Sequence, residues 1–166
     1  MIKTVTKKQR KRQPTAPFIT STLQQEAIRK LGFTAQWTMR VAQQLYEGID
    51  VGDGTIGLIT YMRTDSVNLA KEALTEIRSF ISSRYGEKSL PEEPRVFKTK
   101  SKNAQEAHEA VRPTSVTRVP NEIKDSLTNE QFRLYELIWK RTMASQMTHA
   151  TIDSVAVDIL LSLIHI

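Results

Sequence analysis

Tyr61 and Arg63, two positions apart with Met62 between them, are the residue types in this sequence best suited to chemistry. In an extended segment alternate side chains share a face, so Tyr61 and Arg63 point one way and Met62 the other. A phenol oxygen is a nucleophile for phosphoryl transfer, and the phosphotyrosine it forms is a reversible store of bond energy. A free tyrosine has a pKa of about 10, so only about one in a thousand is ionised at pH 7. An arginine nearby eases that reaction. Its guanidinium stays charged, its planar fork matches a phosphate, and it stabilises charge building on the non-bridging oxygens. Alone the pattern is weak. A tyrosine on a strand ordinarily packs, and an arginine two residues on ordinarily stays in water.

The elements that must position this pair are legible from periodicity. Residues 1–16 read as an arm ending around Pro14, with Pro17 just beyond. A helix follows Thr22, with Leu23, Ala27, Ile28 and Leu31 at helical spacing and Gly32 as its stop. Thr34 caps a second helix whose face carries Trp37, Val41 and Leu45 and which ends at Gly48. Two helices joined by Gly32-Phe33-Thr34 look like a helix-turn-helix, and a plain helical hairpin fits as well. A loop holding Asp50, Gly52, Asp53 and Gly54 leads into an apolar, β-branched run, Thr55 to Arg63, which reads as a strand. Asp65 or Ser66 then caps a long helix through Ala70, Ala73, Leu74, Ile77, Phe80 and Ile81, closed by Gly86. Residues 87–101 read as a linker. Asn103 with Glu106 is a capping-box pattern for a short helix ended by Pro113. Thr128 with Gln131 opens the last helix, and Thr151 to Leu160 alternates as a strand. The expected class is mainly α with a small β component, helix-turn-helix-like at its start.

Composition narrows the function classes. The 166 residues are 39% hydrophobic and 25% charged, ordinary for a globular domain. No apolar run approaches the roughly 20 residues of a membrane span, and no apolar stretch follows the basic N-terminus, so neither a membrane nor a secretory signal is expected. Cysteine is absent, which excludes disulfides and thiolate metal sites and fits a cytoplasmic protein. The net charge of +6 points toward nucleic acid. Yet Lys3, Lys7, Lys8, Arg10, Lys11 and Arg12 account for all of it. Without those six of the 24 basic residues, 18 basic face 18 acidic. Any affinity for DNA outside the basic arm must come from local placement of charge.

Three ordered stretches carry a resemblance. Gln44-Leu45-Tyr46-Glu47, a short loop and Ile59-Thr60-Tyr61-Met62-Arg63-Thr64-Asp65-Ser66 resemble the active-site signature of type IA DNA topoisomerases. Pro17-Phe18-Ile19-Thr20-Ser21-Thr22-Leu23-Gln24-Gln25 matches the family upstream, and Gln105-Glu106-Ala107-His108-Glu109-Ala110-Val111-Arg112-Pro113 downstream. Leu137 to Arg141 and Ser145 to Thr148 extend the likeness, which covers residues 17–158. Met62 after the tyrosine resembles the bacterial topoisomerase I branch. The resemblance implies that Tyr61 is the nucleophile and becomes joined to a 5′ phosphate of single-stranded DNA. It implies that Arg63 holds the scissile phosphate and that His108 assists proton movement or electrostatics. Arg112, four residues after His108, would share its face on a helix and contact backbone phosphate. Arg40 on the second helix is a further DNA-contact candidate.

The resemblance also implies what should lie elsewhere. The family uses Mg²⁺ held by clustered acids in a D-x-D-x-E arrangement, and no such cluster is present here. The pair Asp50 and Asp53 reads as loop, and Asp65 beside Ser66 is poor ligation for Mg²⁺ and suffices as a helix cap. The metal is therefore expected in a longer parent protein and not in this chain. The implied partners are single-stranded DNA and the parent's remaining domains. The domain reading is residues 1–16 as basic arm or end of a neighbouring gate domain, 17–150 as the tyrosine domain, and 151–160 as the start of a gate-domain strand. Residues 161–166 match translation of a sequencing-library transposon end, CTG-TCT-CTT-ATA-CAC-ATC, and read as adapter sequence. The other readings are a stand-alone helix-turn-helix DNA-binding module without catalysis and a helical interaction domain.

Overall fold

A computed structural model describes residues 2–52, 54–98 and 108–160. Among these the chain is mainly α with small antiparallel sheets, as expected. The order is β1 (Ile2–Arg12), α1 (Thr20–Leu31), α2 (Ala35–Glu47), β2 (Ile49–Asp50), β3 (Thr55–Ile56), α3 (Lys71–Tyr85), α4 (Asn129–Gln146) and β4 (Ala150–Ile159). The chain divides into two compact units, residues 15–148 and the paired ends 1–14 with 149–166.

In the larger unit α1, α2 and α4 pack on one another and α3 packs on α4. Their boundaries follow local chemistry. Gly32 ends α1 at φ 72°, a left-handed conformation that glycine adopts without a Cβ clash, and its N–H reaches back to Ile28 O. Thr34 caps α2 by accepting from Trp37 N at 3.1 Å. Thr128 and Gln131 form a reciprocal capping box on α4. The core is drawn from Phe18, Leu23, Leu45, Leu58, Met62, Ile77, Leu134 and Ile138, all essentially inaccessible. Tyr135 is buried among them and donates to Arg118 O at 2.8 Å; burial holds its phenol well above the ordinary tyrosine range. Trp139 donates to Val116 O at 3.0 Å and stands edge-on to Phe80.

Four expectations need correction. The run from Thr55 to Arg63 is not one strand: Thr55–Ile56 pairs with Ile49–Asp50 in a short hairpin, and beyond it only a bridge between Ile59 and Pro113 remains. The helix does not start at Asp65 or Ser66 but at Lys71. Ser66 N donates to Thr64 Oγ1 at 3.1 Å, and Asn68 N donates to Ser66 Oγ at 3.2 Å. Two successive side-chain turns of this kind give the backbone an alternative to the helix. Residues 108–113 are extended, not helical, so Pro113 ends no helix there; residues 103–107 of the proposed capping-box helix lie outside the described residues. Trp37 and Ile28, read as core positions, are 39% and 48% exposed, and the buried face of α2 is Thr38, Val41, Ala42 and Leu45.

In the smaller unit β1 and β4 form an exposed antiparallel ribbon, with Val5 opposite Val157, Lys8 opposite Ser154 and Arg12 opposite Ala150. The basic residues of the arm thus lie on a paired strand, Ile2–Arg12. Residues 161–166 lie outside the described residues.

Candidate active site

Three extended segments, distant in sequence, meet in the larger unit. Val111 N donates to Phe18 O at 2.8 Å, and Thr60 N donates to Arg112 O at 2.9 Å. Thr20 clamps the first segment to the second. Its N–H donates to Thr64 O, its hydroxyl donates to Met62 O at 2.8 Å, and that hydroxyl accepts from Thr64 N at 2.9 Å. Thr60 clamps the second to the third, donating to Ala110 O at 2.7 Å and accepting from Arg112 N at 3.0 Å. These bonds fix the backbone on both sides of Tyr61 without regular secondary structure.

The alternation expected for Tyr61, Met62 and Arg63 holds, and it continues through Ser66, where a helix start was expected. Tyr61, Arg63 and Asp65 are exposed while Met62, Thr64 and Ser66 are buried. Tyr61 is 50% exposed, and its ring meets that of Tyr46 edge-on at 5.3 Å between centroids, with the planes at 63°. A pocket open to solvent is lined by Tyr46, Thr60, Tyr61, Arg63, Thr64, His108 and Glu109. A second hollow alongside it is lined by Arg63, His108 and Asp65 together with Thr20 and Ser21 at the start of α1. Arg63 and His108 face both.

The remaining candidates lie differently. Arg112 does not share a helical face with His108, because 108–113 is extended. Its guanidinium donates to Glu109 Oε2 at 2.7 Å and to Pro113 O at 2.9 Å, and its side chain is 13% exposed. Glu109 is doubly engaged, since its other oxygen accepts from Ala70 N at 2.6 Å. It ties the histidine segment to the start of α3. Arg40 lies on the exposed side of α2, with its guanidinium 5.5 Å from the Trp37 ring centroid. Thr20, Thr60 and Glu109 were not singled out from the sequence as positioning groups. The signal was present, since all three sit inside the stretches that carry the resemblance.

The charge set suits a phosphate and not a divalent cation. Arg63 and His108 converge on one opening, whereas no group of three His, Asp or Glu able to hold a metal occurs among the described residues. Asp65 offers one carboxylate, and Glu109 is committed to Arg112 and Ala70. Mg²⁺ does not fit the residues described here.

A profile of the DNA topoisomerase family matches residues 1–164. The chain belongs to that family. It is 63% identical over 156 residues to DNA topoisomerase 1 of Xylella fastidiosa strain Temecula1, a match covering 93% of this chain and 19% of that protein. It is 60% identical over 151 residues to DNA topoisomerase 1 of Rickettsia bellii, covering 91% and 19%. The crystal structure of full-length topoisomerase I from Thermotoga maritima superposes with a TM-score of 0.76 at 43% identity, covering 93% of this chain and 24% of that one. The chain therefore spans about a fifth of the length of the curated relatives it matches. These likenesses place it in the bacterial topoisomerase I branch that Met62 indicated, and they do not favour a stand-alone DNA-binding module. No helix among the described residues is long and apolar enough to cross a membrane.

Proposed function

We propose that this chain is the tyrosine-bearing part of a bacterial type IA DNA topoisomerase, an isomerase that relaxes negative supercoils without ATP. The observation that carries the reading is the convergence of Tyr61, Arg63 and His108 on one open pocket. In the proposed step Tyr61 Oη attacks a backbone phosphorus of single-stranded DNA. The phenol gives up its proton as the O–P bond to tyrosine forms, the bond to the 3′ oxygen breaks, and that oxygen takes up a proton, so the step is proton-neutral. The reverse attack reseals the strand. Arg63 binds the non-bridging oxygens as charge grows on them. His108 lines the same pocket, within the region where the proton must travel. Arg112 acts mainly through Glu109, shaping the His108 segment, with any phosphate contact secondary. Arg40 is a DNA contact remote from the chemistry.

In the proposed parent any Mg²⁺ would be held by residues outside this chain, and it would supply positive charge toward the phosphate. Residues 1–14 and 149–160 would belong to the neighbouring gate domain, and residues 15–148 to the tyrosine domain. The α1–α2 pair is helix-turn-helix-like in this reading, supported by the left-handed turn at Gly32. The setting would be the bacterial cytoplasm.

The test is covalent capture of labelled single-stranded DNA by the longer parent protein carrying this sequence. Wild type should form a denaturant-resistant adduct through the 5′ phosphate exposed at the break, leaving a free 3′ hydroxyl on the other fragment, and Tyr61→Phe should form none while still binding DNA. An adduct that persists in Tyr61→Phe would overturn the assignment. The 166-residue chain alone should not relax plasmid DNA with Mg²⁺, and robust relaxation would show that the metal requirement is misassigned.

A further inference from the structure

Trp37, Arg40, Gln43 and Tyr46 recur at every third residue of α2. Residues three apart are neighbours on a helix surface, and each step of three falls about 60° short of a full turn. The four therefore make one ridge slanting across the solvent side of α2, opposite the buried Thr38, Val41, Ala42 and Leu45. The Trp37 ring is left 39% exposed with the Arg40 guanidinium over it at 5.5 Å. The only carboxylate of α2, Glu47, accepts from Gln43 Nε2 at 2.6 Å. At the far end Tyr46, 40% exposed, stands against Tyr61.

We propose that this ridge is a subsite for single-stranded DNA, with a base stacked on Trp37 and a phosphate on Arg40, carrying the strand that leads to Tyr61. The chemistry is that of single-strand recognition in general. An exposed aromatic face accepts any base, and an adjacent guanidinium neutralises the backbone and adds cation–π attraction. The rise from Trp37 to Tyr46 is about 14 Å, room for about four stacked nucleotides or fewer extended ones. A duplex hides the base faces that Trp37 needs, so it gains only the charge contact. The inference rests on the topoisomerase reading for its direction toward Tyr61, because a strand joined to that tyrosine must lie against this domain.

The 166-residue chain carries its own reporter. Its two tryptophans are Trp37, exposed, and Trp139, which is 6% exposed and hydrogen-bonded to Val116 O. Titration with a short oligothymidylate at low salt should quench the emission of the wild-type chain and leave that of Trp37→Phe unchanged. In anisotropy with a labelled oligothymidylate, Trp37→Ala should weaken binding about five-fold or more, the lower end of what one stacked base contributes. Arg40→Gln should weaken it about three-fold and reduce the salt slope by about one. Both side chains are exposed, and circular dichroism of each variant checks that it stays folded.

The ridge is overturned by binding that leaves emission unchanged, by equal affinity of Trp37→Ala, by equal quenching with duplex DNA, or by no binding at low salt. Those outcomes leave Tyr61-dependent adduct formation by the parent standing. Quenching as expected, with no adduct from the parent, would instead sink the catalytic reading and leave a single-strand binding surface.

Discussion

The rings of Tyr46 and Tyr61 meet edge-on at 5.3 Å, although the two residues belong to different kinds of structure. Tyr46 is on the last turn of α2, whereas Tyr61 is on an irregular extended segment. Edge-to-face pairs contribute about 0.5–1.5 kcal/mol beyond area burial, so Tyr46 restricts where the Tyr61 ring dwells. Tyr46→Ala in the parent protein should slow single-turnover strand cleavage by about ten-fold, the upper end of that range. Tyr46→Phe keeps the ring and should cleave at near the wild-type rate. Equal slowing by both variants would mean that the hydroxyl, not the ring, is what matters.

Arg63 faces both hollows and has no acidic partner among the ion pairs of the described residues. Its assigned role is charge stabilisation at the scissile phosphate. Arg63→Gln should lower the cleavage rate by about a hundred-fold, as loss of one such preorganised donor does elsewhere. Arg63→Lys keeps the charge but loses the fork and should recover only part of the rate. The check is the rate of adduct formation at saturating DNA; a change confined to DNA affinity would refute the assignment.

Thr60 both donates to Ala110 O and accepts from Arg112 N, coupling the tyrosine segment to the histidine segment. Thr60→Val keeps the shape and leaves a partly buried N–H and a carbonyl short of a partner. Such a loss costs about 1–3 kcal/mol. The midpoint of urea unfolding should fall accordingly, and amide exchange at Ala110 to Arg112 should accelerate. Unchanged exchange there would show that the backbone bond from Thr60 N to Arg112 O suffices.

Gly57 has no unusual backbone angle, yet a Cβ placed on it would lie 2.6 Å from Tyr46 O. Backbone cannot swing aside as a side-chain tip can. Gly57→Ala should therefore displace the end of α2 from the segment leading to Tyr61, at a cost of about 1–3 kcal/mol. Thermal unfolding measures the cost. Tyr46→Ala combined with Gly57→Ala leaves the backbone clash in place, so the stability loss from Gly57→Ala should persist in the double variant.

Glu26, with its side chain 13% exposed, meets Lys30 at 2.8 Å, Arg141 at 3.6 Å, and also Arg29. The hydrogen bond from Lys30 and the surrounding positive charge hold its carboxyl below the ordinary value near 4.5. A carboxyl whose folded pKa is depressed adds stability above its unfolded pKa, and that stability fades as pH falls through the folded value. Stability should therefore decline as the pH drops below about 4.5, and Glu26→Gln should flatten that part of the curve. Urea midpoints across pH 3 to 7 give the comparison. An identical acid limb in Glu26→Gln would assign the decline to other carboxyls.

Sequence by itself determined what depends on short-range chemistry. Thr34, Gly32 and the Thr128–Gln131 box set the ends of α1, α2 and α4 with bonds inside four residues. Alternation alone put Tyr61 and Arg63 on the open side and Met62 in the core, because a side chain's direction in extended backbone is a local property. The ordered stretches around Tyr61 carried the family. Tertiary structure decided what depends on partners far along the chain. The backbone near Tyr61 bonds to Leu45, Arg112 and Thr20, from three separate segments, so it is extended without being a regular strand. Ser66 and Asp65 cap no helix, because side-chain turns through Thr64 and Ser66, with Ala70 bound to Glu109, delay α3 to Lys71. Trp37 has the spacing of a core residue but lies on the rim of the buried face, where Thr38 and Val41 take the interior. Helical periodicity gives a stripe, and only the neighbouring helices decide where its edges fall. The basic arm became a strand for the same reason, since its partner lies some 140 residues away in β4.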